Sequence, residues 1–271
     1  MWQRLRRASF WLGMYTAMVM AFIIYLPILL LIVFSFNDSK IMSLPWNGFT
    51  LRWYRIAFSR EDLLHALFNS LWVAAVVTAV SLVLGIMAAN GMAKYRYRGR
   101  SLFTGYIAIP VVMPWLLLGI SLLLFFNVIK VPLSLFTVIL SHISFDVPLV
   151  AVIVAARLHQ FDPTLEEAAR DLGAGPIETF RLVTLPIIAP AIVAAGIFAF
   201  SWSFDAFVVT HFVIGSQVTF PIWVWSALRY PKNLPVINAV SSIIVVVEIL
   251  IVYLGERLRR GEGGGVLRSN D

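Results

Sequence analysis

Residues 8–37 read ASFWLGMYTAMVMAFIIYLPILLLIVFSFN, thirty consecutive positions without a formal charge between Arg7 and Asp38. A helix needs about 20 apolar residues to cross the hydrocarbon core of a bilayer, so this stretch is long enough to do so. Arg4, Arg6 and Arg7 precede it, as at the start of a secretory signal. A signal's apolar region is only about 7–15 residues and ends at a small-residue cleavage site, which this stretch lacks. It therefore reads as an uncleaved first span. The pattern recurs down the chain in the charge gaps Asp62 to Lys94, Arg100 to Lys130, Lys130 to Arg157 (interrupted by Asp146), Arg181 to Arg229 (by Asp205) and Lys232 to Glu256 (by Glu248). The gap from Arg181 receives one span, because Gly215, Ser216, Gln217, Thr219 and Pro221 break it after about Phe212. The predicted spans are 10–36, 66–92, 102–128, 134–156, 187–211 and 236–255.

Composition agrees with this reading. Of 271 residues, 60% are hydrophobic and 13% charged, against about 45–50% and about 25% in a globular domain. That excludes a water-soluble enzyme, and it excludes disorder, which is poor in apolar residues. With no cysteine, disulfides, thiolate nucleophiles and Cys-ligated metals are impossible. The net charge of +7 reads as membrane orientation rather than nucleic-acid binding, since the basic residues flank the apolar runs. With six spans both termini share a side, and that side carries fourteen of the 21 Lys and Arg residues. The short loop with Lys94, Arg96, Arg98 and Arg100 weighs most. Basic residues accumulate in cytoplasmic loops, so both termini are expected in the cytoplasm. The expected fold class is an all-α membrane protein with six transmembrane helices, forming a single transmembrane domain over 1–271 with a flexible tail at 257–271.

One cytoplasmic loop, 157–186, differs from the rest by its acids: Asp162, Glu166, Glu167, Asp171 and Glu178. Asp162 can cap a helix that has Pro163 at its first position; Thr164 with Glu167 offers an alternative capping box. Leu165, Ala168, Ala169 and Leu172 recur at helical spacing as one apolar stripe. Gly173 suits the left-handed position past the helix end, and Gly175-Pro176 can start a second helix. Such an amphipathic helix outside the bilayer can lie against the chain's own spans or in another protein's groove; the residues leave both open.

Glu167-Ala168-Ala169, then Gly173, then Leu185-Pro186 resembles the EAA loop of bacterial ABC importer permeases, with Val183 where that pattern has Ile. The resemblance spans roughly residues 60–256. It implies a type I importer permease fold, with Glu166, Glu167, Ala168, Ala169, Asp171, Leu172, Gly173 and Ala174 forming a coupling helix that docks on an ATPase. The implied partners are a second permease subunit, a pair of ATP-binding subunits and an external solute-binding protein. A finer likeness covers nearly the whole chain. Ser35-Phe36-Asn37, Phe49 to Tyr54, Tyr97-Arg98-Gly99, Met113-Pro114, Leu140-Ser141-His142, Leu165 to Ala174 and Ile237-Asn238-Ala239 are similar to the second permease subunit of spermidine/putrescine importers. That likeness implies a polyamine cargo. At 201–206 the chain reads SWSFDA, with Asp205 alone where spermidine permeases tend to have two adjacent acids.

There is no P-loop, so ATP hydrolysis by that mechanism is not expected of this chain, and neither a cofactor nor a metal site is read from it. Asp146, Asp205 and Glu248 interrupt the spans, and an intramembrane carboxylate suggests function. Trp202, three residues before Asp205, shares its face and can meet an ammonium by cation–π contact. His142 lies four before Asp146 and is an available intrahelical partner for it. Asp205, Trp202, Asp146 and His142 are thus candidate pathway residues; the alternative is that each acid only bonds a neighbouring helix. Pro110, Pro114, Gly119, Pro148, Pro190 and Gly196 can be kinks that open a cavity or packing adaptations. Trp46, Trp53 and Tyr54 suit an interfacial anchor or a docking surface. Alternatives to a polyamine permease are a permease for another small amine or amino-acid-like solute, a proton-coupled secondary carrier using Asp205 or Asp146, and a membrane scaffold.

Overall fold

The computed structural model describes residues 2–40, 46–94, 98–230 and 233–263. Among these, regular structure is helical apart from one isolated bridge between Asn37 and Phe49. The long helices are α1 (Trp2–Phe34), α3 (Glu61–Lys94), α6 (Leu135–Leu158), α9 (Leu185–Asp205) and α12 (Leu234–Gly263). Shorter ones are α2 (Arg52–Phe58), α4 (Arg100–Val112), α5 (Trp115–Val128), α7 (Thr164–Asp171), α8 (Pro176–Thr179), α10 (Val208–Val213) and α11 (Phe220–Ala227).

Five helical stretches are long and apolar enough to cross a membrane, and α4 with α5 makes a sixth if that bent pair is one span. The expected third span, 102–128, is therefore corrected: its halves meet at 103°. The cause is Pro114. It has no N–H to give the helix ladder, and its ring pushes the preceding residue out of the helical region; Met113 accordingly has ψ 134°. Pro27, Pro110, Pro148 and Pro190 all lie inside helices, so proline alone does not mark the break. The fifth span is corrected too. A helical path from Pro176 leads to Asp205, and a separate short helix, α10, follows. Of the tail expected over 257–271, residues 257–263 continue α12, and residues 264–271 lie outside the described residues.

The chain forms two compact units. One comprises 1–63 and 224–247. Here the expected aromatic surface is partly internal: Trp53 is buried, with its Nε1 donating to the Asn37 carbonyl at 2.8 Å, and Tyr54 OH lies 2.7 Å from Ser35 Oγ. Trp46 remains exposed. In α1 the large side chains from Phe10 to Val33 are widely exposed, as befits a helix whose solvent is lipid.

The other unit comprises 64–223 and 248–271. Its centre is α6, packed against α9, α4 and α10. Val73 and Val77 of α3 share a cluster with Val138, while Ala89 and Met92 share another with Val154, Ala155 and Leu158. The two helices therefore run the same way. Gly85 lets them touch: a Cβ there would sit 2.5 Å from Val150 Cγ1, closer than atoms approach.

Candidate functional site

The helix α7 has clear local causes. The Thr164 N–H donates to Asp162 Oδ1 at 3.0 Å, and that backbone bond, with the Thr164 side chain assisting, holds the Asp162 carboxyl below its usual range. Pro163, not Asp162, occupies the cap position, just outside the first turn, and Asp162 binds the first helical amide from one residue further back. At the other end Gly173 adopts φ +91°. Its N–H reaches the Arg170 carbonyl at 2.9 Å and the Ala174 N–H reaches Ala169 at 3.1 Å. These two bonds satisfy the last carbonyls in the pattern a left-handed residue permits. Pro176 then opens α8. Residues Phe180–Thr184 continue as a π-helical turn closed by the Leu185 N–H on the Phe180 carbonyl. Pro186 withholds the next donor of the ladder, so one widened turn is tolerated there.

The faces of α7 bear on what the sequence left open. Its stripe is not covered by the chain itself. Leu165, Ala168 and Leu172 are exposed, Leu172 at 90%, and Ala169 is half-buried. Beyond the turn Ile177, at 84%, and Leu182 are exposed as well. Glu167, Asp171 and Gly173 are exposed and Ala174 is half-buried. The face turned into the chain carries Glu166 instead. Its carboxylate accepts hydrogen bonds from Lys94 Nζ and Thr184 Oγ1, and Arg170 Nη2 stands 3.8 Å away. Burial by itself would raise that carboxyl; the bonds from Lys94 and Thr184 and the charges of Lys94 and Arg170 outweigh it, leaving the pKa below the ordinary glutamate value. A cleft of about 450 Å³ lies alongside, lined among others by Lys94, Phe161, Glu166, Glu167 and Arg170.

The four residues expected inside the spans differ in their surroundings. His142 is buried, its Nδ1 2.8 Å from Ser203 Oγ and its Nε2 2.8 Å from Thr210 Oγ1. It is therefore not the intrahelical partner of Asp146. Both carboxylate oxygens of Asp146 are buried without a hydrogen-bond partner. One helical turn before the Gly85–Val150 contact on α3 stands Ser81, whose Oγ is likewise buried and unpartnered, so the register sets Ser81 and Asp146 at one level. Trp202 stacks on Trp115, centroids 5.5 Å apart and planes at 14°, and Trp115 also meets Phe145 at 5.1 Å. Asp205 is the last residue of α9 and is exposed, so it sits at a helix end rather than inside the span expected over 187–211. Glu248 is half-buried. No group of three or more His, Asp or Glu suited to a metal occurs among the described residues.

Lys94, Thr184, Ser81 and Trp115 were not singled out as site residues from the sequence. Trp115 follows the Met113-Pro114 break directly, and an aromatic at a proline break was the available signal. Lys94 counted only as a topology charge. Nothing local distinguishes Thr184, which matters only because α7 folds back onto it.

The model of the family described as binding-protein-dependent transport system inner membrane component matches residues 81–260. The spermidine/putrescine transport system permease protein PotC of Shigella flexneri is 33% identical over 268 residues, 97% of this chain and 98% of that protein. The putrescine transport system permease protein PotI of Escherichia coli K12 is 36% identical over 230 residues, 82% of this chain and 81% of that one. Among solved structures, a bacterial ABC transporter involved in the import of the acidic polysaccharide alginate matches with a TM-score of 0.72 at 15% identity, covering 94% of this chain and 97% of that chain. The MetNI methionine ABC transporter in an inward-facing form matches with a TM-score of 0.59 at 20% identity, covering 74% and 98%. At such identities the shared property is the fold, and those two named cargoes differ in charge and size.

Proposed function

The chain belongs to the family of binding-protein-dependent transport system inner membrane components, and we propose that it forms half of the translocation pathway for a polyamine such as putrescine or spermidine. It is a multi-pass permease subunit of an ABC importer. In this reading it lies in a bacterial inner membrane with both termini cytoplasmic. A second permease subunit completes the pathway, a pair of separate ATPase subunits supplies the energy, and an external binding protein delivers the solute. The cargo is read from the near full-length likeness to permeases named for polyamines and from acids without a lysine or arginine deep in any span, which favour a cation.

The observation that carries the ATP-driven reading is the uncovered row Leu165, Leu172, Ile177 and Leu182 on the loop after α6. Apolar side chains raised into water on a short, well-capped helix fit a partner's groove, and the acids Glu167 and Asp171 beside them give polar edges. A self-contained carrier has no use for such a surface. The decisive experiment is purification of the chain with its second permease and ATPase subunits. Leu172→Glu should abolish ATPase co-purification while the permease pair stays intact; retention of the ATPase at wild-type level would refute the docking surface. For cargo, the external binding protein should bind polyamines in a panel of amines, and preference for an amino acid would point to the alternative solute class.

A further inference from the structure

Three segments distant in the chain converge on one carboxylate. Glu166 belongs to α7. Lys94 is the last residue of α3 and Thr184 ends the π-helical turn that leads into α9; both donate to Glu166. Lys94 Nζ also lies 3.4 Å from Thr184 Oγ1, which closes a triangle, and 5.5 Å from the Phe161 ring centroid. Glu166 and Thr184 are buried and Lys94 is half-buried, so these bonds are partly shielded from water. An exposed ion pair would be a weak tether; a shielded one with a second donor has a fixed geometry. Another side of α7 presents Leu165 and Leu172 outward, so the helix is held from within and free to be grasped from without. The turn behind Thr184 has π geometry, a form that often marks a functional site within a helix.

Resting on the reading of α7 as the element an ATPase grips, we propose that Lys94 and Thr184, with Glu166, are positioning residues for coupling: a strut that makes a displacement of α7 move the ends of α3 and α9 together. Without the strut α7 follows the ATPase while the spans lag, and ATP is hydrolysed with little solute moved.

The test uses the whole importer in lipid vesicles, with both permeases, the ATPase subunits and the binding protein, and reads putrescine taken up per ATP hydrolysed. In Lys94→Met, Glu166→Gln and Thr184→Val the ATPase subunits should still co-purify, and uptake per ATP should fall about fivefold or more, as for coupling between distant sites. Thr184→Ser, which keeps the donor, should behave as wild type. Exchanging the charges, Lys94→Glu with Glu166→Lys, should recover much of the ratio lost in the single variants. If Leu172→Glu releases the ATPase but Lys94→Met and Thr184→Val keep the wild-type ratio, the strut is overturned and the docking surface stands. If Leu172→Glu does not release the ATPase, the docking surface falls and the strut with it. Loss of the ATPase from Glu166→Gln would make Glu166 a docking residue and overturn the strut, as would loss of folded permease in the single variants that the charge exchange does not repair.

Discussion

His142 joins α6 to both sides of the turn between α9 and α10, through Ser203 before it and Thr210 after it. His142→Ala would leave a void and two hydroxyls without that partner. The expected loss is about 3 kcal/mol, most of it from the void, with about 0.6 kcal/mol per hydrogen bond between membrane helices; unfolding in mild detergent measures it. Asp146, four residues along the same helix, should behave in the opposite way. Asp146→Asn sacrifices no hydrogen bond present in this structure and removes the cost of ever charging a buried carboxylate, so thermal stability should be equal or higher. If Asp146 serves a cation in transit, uptake falls in this variant while stability does not. A drop in melting temperature of more than a few degrees would show that the carboxylate has a stabilising partner. Asp205 is exposed at the end of α9, so Asp205→Asn should leave assembly and basal ATP hydrolysis near wild type and reduce uptake of a dication per assembled complex. Poor assembly with normal uptake per complex would assign it a structural role instead.

Among the elements, α7 depends on a single backbone conformation. Gly173 has φ +91° with open space where a side chain would go, so the obstacle to substitution is torsional. A non-glycine residue there costs roughly 1–2 kcal/mol, and a β-branched one more. Gly173→Val should therefore unfix the α7–α8 turn, leave membrane insertion intact and abolish ATP-driven uptake; wild-type uptake would show that the turn need not be tight. The helix, the Gly173 stop and the Pro176 restart were legible in the sequence because each is decided within a few residues; the cap position fell to Pro163 rather than Asp162. The direction of its faces was not. Leu165 and Leu172 look like a core stripe in one dimension, and it is Lys94, 72 residues away from Glu166, that turns Glu166 inward. The break in the third span was illegible for a similar reason. Pro110 and Pro114 sit four residues apart in one apolar run; α4 absorbs the first and ends at the second, and packing of Trp115 against Phe145 and Trp202 accompanies that choice.

At the scale of the whole molecule, length and apolarity placed the five long helices, since crossing a bilayer is a one-dimensional requirement, but not all their ends: α1 starts before and α12 continues past the expected span, and α9 stops at Asp205. Their sidedness rests on the basic residues and is open to direct test in a chain without cysteine. A cysteine at Asn47 should react with an impermeant maleimide from outside intact cells, and one at Gly175 only after the membrane is opened; the reverse would place the α7 surface out of reach of any cytoplasmic ATPase. The jointed span has a consequence for biogenesis. With 13 residues in α4 and 14 in α5, each arm is about 20 Å long at about 1.5 Å per residue, short of the roughly 30 Å hydrocarbon slab. The last carbonyls of α4 and first amides of α5 lack ladder partners, and lipid offers them none. The bend is tolerable only once α6 and α10 stand beside it, and α4, which buries no residue of its own, gains least from early docking. As the ribosome delivers the chain, this segment should therefore remain unsettled, accessible to crosslinking with the insertion machinery, until the sequence through Val213 has emerged.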